Sequence, residues 1–289
     1  MITFKEHLEM RDYQQLEEKL IMYNQGKRYG QVVFLAGGAG SGKGFAQKNF
    51  MESDKFKVFD VDELKKLFIK VRDLDMNLRN PDDVSKLHQL VKDSGVQEKR
   101  LLALSQSLSQ ARDPSRLPNL MFDVTLKEVE DIKELMPMLT ALGYDANGIH
   151  VTWVLTDYYV AVKANQERDR VVPDDILLKT HVGATKTMSQ IIRGKLPRGV
   201  NGGVYVILNN RENTIPYTDE KGKPLKTGGA IGKDAGKEPT MVIKDFTYVT
   251  LKKPGRPFEK DTSIQKQVFN WIQDNVPRDA LKQIDVPKQ

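Results

Sequence analysis

The sequence QVVFLAGGAGSGKG, residues 31–44, decides the fold. Its first half is an apolar run with β-branched valines, typical of a buried strand, and its second half matches the pattern G-x-x-x-x-G-K. In that pattern the glycines let backbone N–H groups turn inward around phosphate oxygens, and the lysine reaches the terminal phosphates. A helix-compatible stretch, residues 45–51, follows. We therefore interpret residues 37–44 as a phosphate-binding loop, called the phosphate loop below, between a strand and a helix.

The phosphate loop is expected to bind a nucleoside triphosphate. Its residues are Gly37, Gly38, Ala39, Gly40, Ser41, Gly42, Lys43 and Gly44. A flexible glycine turn is the competing interpretation, which the strand and helix on either side disfavour. Gly44 stands where a serine or threonine hydroxyl normally binds Mg²⁺. Holding Mg²⁺ is therefore expected to fall to water and to carboxylates elsewhere in the chain.

Composition limits the class of protein. With 289 residues, 39% of them hydrophobic, the chain can bury the core of one large domain or of one domain with an appendage. It contains no cysteine, which excludes disulfides and thiolate metal sites. No apolar run is long enough to span a bilayer, so no membrane partner is expected. The N-terminal residues have no signal-peptide core, and we expect a cytoplasmic location.

Strands and helices alternate along the middle of the chain. Apolar runs predict strands at residues 32–36, 56–60, 120–123, 150–155 and 203–208, with helix-like segments between them. Such alternation predicts an α/β fold, in which helices cover both faces of a parallel sheet in three layers. We divide the chain into an N-terminal helix at 1–30, a core at 31–215 with a helical insertion at about 72–117, and a small C-terminal α+β appendage at 216–289.

Acidic residues follow two of the predicted strands, at the carboxyl edge where parallel sheets bind ligands. Asp62 comes at the end of the second strand, and Asp60 lies on the same side of an extended chain. Phosphoryl transfer needs a group that orients the acceptor hydroxyl and accepts its proton, and Asp62 is the candidate base, with Asp60 a candidate substrate contact. Capping of the next helix by one of the pair is the competing interpretation. Asp123 ends the third strand and is the candidate to hold Mg²⁺ through water.

Basic and polar residues complete the candidate site. Thr125 and Lys127 come just after the third strand and would contact the acceptor or a phosphate. Arg168 and Arg170 lie at a break between two helices, where they would close over phosphates and neutralise charge on the transferred group. Complementing a helix dipole is the simpler explanation for these arginines. We expect His181, in the next helix, to serve packing or the polar surface rather than catalysis.

The order of these motifs resembles the zeta-toxin-like group of P-loop kinases. The resemblance covers roughly residues 30–215 and rests on GGAGSGKG, FDVDELKK, MFDVTLKE and NQERDRVVPDDILLKTH. It implies a P-loop kinase core that transfers the γ-phosphoryl group of ATP, with Mg²⁺, to a hydroxyl group. In that family the hydroxyl belongs notably to a UDP-linked amino sugar. A nucleotide-like or sugar-nucleotide acceptor is therefore the implied substrate.

The same resemblance implies a role for each matching residue. It gives Lys43 the role of the loop lysine and Asp62 the role of the base, and it makes Arg168 and Arg170 the arginines of a closing lid. Asp123 occupies the place of a glutamate, while Thr125 and Lys127 occupy the places of a threonine and an arginine. The departures from the family pattern are Gly44 for Ser or Thr, Asp123-Val124 for Glu-Gly, and Lys127 for Arg.

Two other functions stay open. The Lys221–Lys260 stretch is rich in basic residues and would follow a nucleic-acid backbone. In that case the acceptor would be a terminal hydroxyl, or the hydroxyl of a base hydroxymethyl group, of DNA or RNA. A solvated Gly/Lys-rich loop is the simpler interpretation of that stretch. Alternatively, Gly44 and Lys127 permit a nucleotide-binding switch or a toxin-like protein with little turnover.

Overall fold

Six strands form a central sheet. The computed structural model describes residues 29–51, 55–109, 117–168, 171–209, 214–216, 241–243, 247–259 and 262–284. The described strands of both sheets are β1 (Val32–Ala36), β2 (Phe56–Asp60), β3 (Asn119–Asp123), β4 (Ile149–Leu155), β5 (Val204–Leu208), β6 (Thr214–Pro216), β7 (Met241–Ile243) and β8 (Thr247–Lys252). The sheet has the order β2-β3-β1-β4-β5-β8, and β6 pairs with β7 in a two-stranded sheet. The first five strands are parallel, and β8 is antiparallel to β5.

Helices cover both faces of the central sheet. They are α1 (Lys43–Phe50), α2 (Val61–Arg72), α3 (Pro81–Asp93), α4 (Val96–Ser109), α5 (Glu130–Lys133), α6 (Met136–Ala141), α7 (Tyr158–Gln166), α8 (Asp174–Ile192), α9 (Ser263–Asn275) and α10 (Arg278–Leu281). Alternate residues of β1 point to opposite faces, as the pleat of a strand requires. Val32 and Phe34 pack in one buried cluster with residues of α8 and α9, whereas Val33 and Leu35 pack in another with α1. The predicted three-layer α/β core is confirmed.

The position of β1 explains why ligands would gather at its end. β1 is completely buried between β3 and β4, and its register places Leu35 beside Asp123 on one side and beside Thr152 on the other. The chain leaves β1 towards one edge of the sheet and leaves β4 towards the other. Connections that diverge in this way open a crevice beyond the carboxyl ends of the strands. The phosphate loop therefore begins at this crevice.

The C-terminal part of the chain differs from the expected appendage. β8 pairs with β5 along the edge of the central sheet, and Val268 and Ile272 of α9 are completely buried in the main core. The alternating pattern near residue 247 does predict a strand, but such a pattern does not identify the neighbouring strand. The predicted N-terminal helix lies outside the described residues except for residues 29–30. None of the described helices has the length and apolar character needed to cross a membrane.

A cluster of buried polar side chains lies at the amino end of β4. The N–H of Gly203 donates to Nδ1 of His150 at 2.8 Å, so Nε2 carries the ring proton and donates to Oε1 of Gln31 at 2.7 Å. The Nζ of Lys252 donates to the carbonyl oxygens of residues 201 and 202 at 2.8 and 2.9 Å. Burial, and secondly the charge of Lys252, lower the pKa of His150 to about 4. Lys252 is therefore an internal structural residue, although it belongs to the basic Lys221–Lys260 stretch.

This cluster should make the fold sensitive to acid. In the unfolded chain His150 takes up a proton at its ordinary pKa of 6.5, whereas in the folded protein its pKa is about 4. The contribution of neutral His150 to stability is therefore complete above pH 6.5 and is lost as the pH falls from 6.5 towards 4. Between pH 7 and pH 5 the loss from this residue is about 2 kcal/mol. Urea unfolding of the wild type and of His150→Gln at both pH values measures it. Equal pH dependence in the two proteins would contradict the assignment.

Candidate active site

The phosphate loop has the strained backbone that only glycine accepts readily. Gly40 and Gly42 have φ values of 74° and 87°, in the left-handed region. A Cβ at Gly40 would overlap the carbonyl oxygen of Ala161 in α7, and a Cβ at Gly42 would overlap the amide of Asn209. Gly42 also forms the N-terminal cap position of α1. The glycines of the motif therefore let the loop pack closely against α7 and against Asn209 while it turns into α1.

Asn209 supports the phosphate loop from the side of β5. Its Nδ2 donates to the carbonyl oxygen of Ser41 at 2.9 Å, and its own carbonyl accepts from the hydroxyl of Thr156. The side chain is buried. Asn209 is not among the site residues predicted from the sequence. Its position directly after a predicted strand, at the same edge of the sheet as the loop, was the available signal.

Helix α8 holds the loop from the other side. Nε2 of His181 lies 2.8 Å from the carbonyl oxygen of Ala39, and the N–H of Ala39 donates to Oγ1 of Thr180 at 3.3 Å. His181 is buried rather than on the polar surface, and its ring packs on Gly38. The expectation of a packing histidine is consistent with this burial. The hydrogen bonds that Thr180 and His181 make to the loop have no local sequence signal.

Lys43 places its ammonium group inside the loop. Its Nζ donates to the carbonyl oxygen of Gly37 at 2.8 Å and to that of Gly38 at 3.4 Å, and it lies 3.7 Å from Oδ1 of Asp123. The Lys43 side chain is only 16% exposed. A cation in this position, beside the amino end of α1, would face the phosphates of a bound nucleotide.

Asp123 occupies the floor of the site, at the end of β3. Nε2 of Gln47, one turn along α1 from Lys43, donates to its Oδ2 at 3.0 Å. Burial raises the pKa of Asp123 to about 6; the charge of Lys43 opposes this rise, and the negative charges of Asp60 and Asp62 add to it. Three carboxylates and one ammonium group therefore meet at this end of the sheet. Gln47 is not among the predicted site residues, although its spacing of four residues from Lys43 places it on the same helix face.

Asp60 and Asp62 have different structural roles. β2 ends at Asp60 and α2 begins at Val61, so Asp62 lies in the first turn of a helix, and the prediction that it lies at the end of a strand is wrong. Oδ1 of Asp60 accepts from the N–H of Asp62 at 2.7 Å, which caps the helix. Oδ2 of Asp62 lies 3.5 Å from a guanidinium nitrogen of Arg168. The capping role thus falls to Asp60, and the carboxylate of Asp62 faces Arg168.

The loop after β3 contacts the site mainly through its backbone. The carbonyl oxygen of Thr125 accepts from the N–H of Gly37 at 3.3 Å, and the carbonyl oxygen of Lys127 accepts from the hydroxyl of Thr187 at 3.1 Å. The ammonium group of Lys127 is half exposed and lies 3.8 Å from a carboxylate oxygen of Glu128. Substrate contacts by the Thr125 and Lys127 side chains stay predictions. Arg170 lies outside the described residues.

The residues fit a hydrated Mg²⁺ ion better than a directly coordinated one. No group of three or more His, Cys, Asp or Glu side chains could hold a metal ion in the part of the chain that the structure describes. A Cβ added at Gly44 would meet no described atom within 4 Å, which leaves room for water where other loops carry a hydroxyl. Mg²⁺ in phosphoryl-transfer sites commonly keeps several waters and uses one or two carboxylates. Asp123 and the open space at Gly44 meet that requirement.

Comparison with known proteins gives a family match and distant structural likenesses. The family model described as Zeta toxin matches residues 15–219. No curated protein sequence matches the chain. Three similar solved structures have TM-scores below 0.5, so they support no comparison of individual residues.

Three solved structures illustrate that likeness. A structure from the PezAT chromosomal toxin–antitoxin system of Streptococcus pneumoniae is 12% identical with a TM-score of 0.39, covering 70% of this chain and 78% of that one. The AvrRxo1-ORF1:-ORF2 structure with ATP is 12% identical with a TM-score of 0.44, covering 98% and 74%. Deoxyadenosine kinase from M. mycoides with bound dATP is 16% identical with a TM-score of 0.33, covering 66% and 94%.

Proposed function

The chain belongs to the zeta toxin family of P-loop kinases, and from this premise we propose that it transfers the γ-phosphoryl group of ATP to a hydroxyl group of a nucleotide-like or sugar-nucleotide acceptor. The observation that carries the proposal is the meeting of Lys43, Asp62, Asp123 and Arg168 at the carboxyl edge of the sheet, around the phosphate loop. Phosphoryl transfer requires a phosphate cradle, positive charge at the transferred group and a base for the acceptor, and these residues supply each of them.

The donor half of the reaction uses the loop and Lys43. Backbone N–H groups of residues 37–44 and the amino end of α1 would bind the phosphates of ATP. The ammonium group of Lys43 would leave the loop carbonyls for the β- and γ-phosphate oxygens and neutralise the charge that develops there. Arg168, with Arg170, would add a second positive group as the lid segment closes.

The acceptor half uses Asp62. Its carboxylate would accept the proton of the acceptor hydroxyl as that oxygen forms a bond to the γ-phosphorus, while the bond from this phosphorus to the β–γ bridging oxygen breaks and ADP leaves. Asp62 lies on the rigid first turn of α2, which the side chain of Asp60 caps. A base fixed in this way keeps one orientation relative to the phosphate loop.

Asp123 and Gln47 would hold the water shell of Mg²⁺. When bound, the ion neutralises charge on the β- and γ-phosphates. The hydrogen bond from Gln47 fixes one carboxylate oxygen of Asp123, and the other oxygen lies towards Lys43. This arrangement orients the Asp123 carboxylate to hold Mg²⁺ through water, although Gly44 offers no hydroxyl to the ion.

A transfer screen tests the proposal. The purified protein is incubated with Mg²⁺ and ATP labelled at the γ-phosphate, and label transfer is measured with pools of nucleosides, nucleotides, sugar nucleotides and oligonucleotides. Label on a nucleotide or sugar-nucleotide hydroxyl is the expected result. Label on oligonucleotides alone would move the acceptor to nucleic acid, and ATP binding without transfer to any pool would contradict a kinase function.

Asp123→Asn should raise the Mg²⁺ concentration needed for transfer by about tenfold or more, because a neutral amide holds the hydrated ion less well than a carboxylate. The amide keeps the size of the side chain, so the fold should change little. A Mg²⁺ titration of the transfer rate, with ATP binding measured in parallel, checks this. The exposed Asp93→Asn variant is the matched control, and an unchanged Mg²⁺ requirement in Asp123→Asn would remove the assigned role.

A further inference from the structure

Both backbone polar groups of Ala39, in the phosphate loop, are bonded to neighbouring residues of α8. The N–H of Ala39 donates to Oγ1 of Thr180 at 3.3 Å, and its carbonyl oxygen accepts from Nε2 of His181 at 2.8 Å. A Cβ at the preceding Gly38 would overlap the His181 ring, so the ring lies directly on the loop backbone. The loop tip is thus fixed by a helix about 140 positions away in sequence, in addition to its own turn.

The orientation of the His181 ring is determined from several sides. A carbonyl oxygen only accepts, so Nε2 must carry the proton that it shares with Ala39. The ring of Tyr158 packs edge-on against it with centroids 5.4 Å apart. Burial, opposed by the hydrogen bond to Ala39 and assisted by the charge of Lys43, lowers the pKa of His181 to about 4, so the ring is neutral at pH 7.

From this geometry we propose that Thr180 and His181 are positioning residues that hold the phosphate loop in its nucleotide-binding shape. They fix the two peptide planes on either side of Ala39, and with them the direction in which the neighbouring N–H groups of the loop point. The phosphate contacts of the loop depend on those directions, so nucleotide affinity depends on this pair. The proposal rests on the proposed function in one respect, that ATP is the nucleotide bound.

Helix α8 also contacts the second loop of the site. Gly183 lies so close to residue 127 that a Cβ would overlap the Lys127 side chain, and the hydroxyl of Thr187 donates to the Lys127 carbonyl at 3.1 Å. The helix begins at Asp174, a few residues after Arg168 of the lid segment. One rigid helix therefore contacts both the phosphate loop and the loop after β3, so its residues can set the position of one loop relative to the other.

Two substitutions separate the hydrogen bond from the packing. His181→Phe keeps a ring but removes the donor, and His181→Gln keeps an N–H donor; Lys179→Ala, an exposed neighbour in an ion pair with Asp175, is the control. We expect the dissociation constant for ATP, measured by calorimetry, to rise about tenfold or more in His181→Phe and to stay within about threefold of the wild type in the other two. Thermal unfolding of each variant is measured alongside.

The outcomes distinguish the two levels of the proposal. If the wild type binds ATP and His181→Phe binds it equally well, or if His181→Gln loses as much affinity as His181→Phe, the positioning role is wrong while the proposed function stands. A lower unfolding temperature with unchanged affinity would mean that His181 is only structural. If the wild type fails to bind ATP, the proposed function fails.

A nucleotide-independent test covers that last case. Gly38→Ala should lower the unfolding temperature because its methyl group overlaps the His181 ring, and His181→Ala should relieve that overlap. The double variant is therefore expected to lose less unfolding temperature, relative to the wild type, than the two single variants lose together. Additive shifts would show that the ring does not press on the loop, and would overturn the proposal.

Discussion

Lys43→Ala should lower the phosphoryl-transfer rate by about 10³-fold or more, since it removes the charge that neutralises the transferred group. A second effect adds to the first. The charge of Lys43 opposes the rise in the Asp123 pKa, so its removal raises that pKa above the value of about 6 and favours the protonated, uncharged carboxyl near neutral pH. The variant thus loses the loop cation and weakens the charge that would hold Mg²⁺.

The measurement is the transfer rate at saturating ATP and acceptor, with ATP affinity determined separately. Lys66→Ala, an exposed lysine on α2, is the matched control for the loss of one positive charge. Circular dichroism and thermal unfolding establish that each variant is folded. A Lys43→Ala protein that keeps a tenth of the wild-type rate would show that this ammonium group does not act on the transferred phosphoryl group.

Asp62→Asn should lower the transfer rate by about 10²- to 10⁴-fold while ATP binding stays close to that of the wild type. The amide has the shape of the carboxylate but does not accept the acceptor proton. The loss of the ion pair with Arg168 should cost little stability, because its closest atoms are 3.5 Å apart and both side chains are more than one-third exposed.

Asp60→Asn is the informative comparison for this experiment. Asparagine caps a helix about as well as aspartate, so this variant should keep α2 intact and change acceptor binding more than the transfer rate. Both rates are measured at saturating acceptor over a range of pH. If Asp60→Asn loses as much rate as Asp62→Asn, or if Asp62→Asn turns over at the wild-type rate, the base has been assigned to the wrong carboxylate.

The sequence predicts the features of the site that depend on local pattern. Five parallel strands, the loop at residues 37–44 and the acid that ends β3 follow from apolar runs and glycine spacing within short windows. The predicted strand at residues 56–60 matches β2, but Asp62 lies in the first turn of α2 rather than at the strand end. Both Asp60 and Asp62 suit a helix start, and only the backbone shows which one caps.

The residues that support the loop could not be predicted in this way. Asn209, Thr180 and His181 contact residues 39–41 from more than 130 positions away, and no periodicity relates them. Such contacts follow from strand order and helix placement, which local pattern leaves open. The pairing of β8 with β5 belongs to the same class, because an alternating segment does not identify the neighbouring strand.

That pairing has a consequence for how the protein is produced and how it folds. The family match ends at residue 219, but β8 and α9, which complete the sheet and its core, come afterwards. A fragment that stops at residue 219 would leave the apolar strand β5 as an open edge and would lose the buried Val268, Phe269 and Ile272, each worth roughly 2 kcal/mol. An uncapped apolar edge of this kind recruits other chains, so the shortened fragment should aggregate, and the smallest soluble unit should extend through α9.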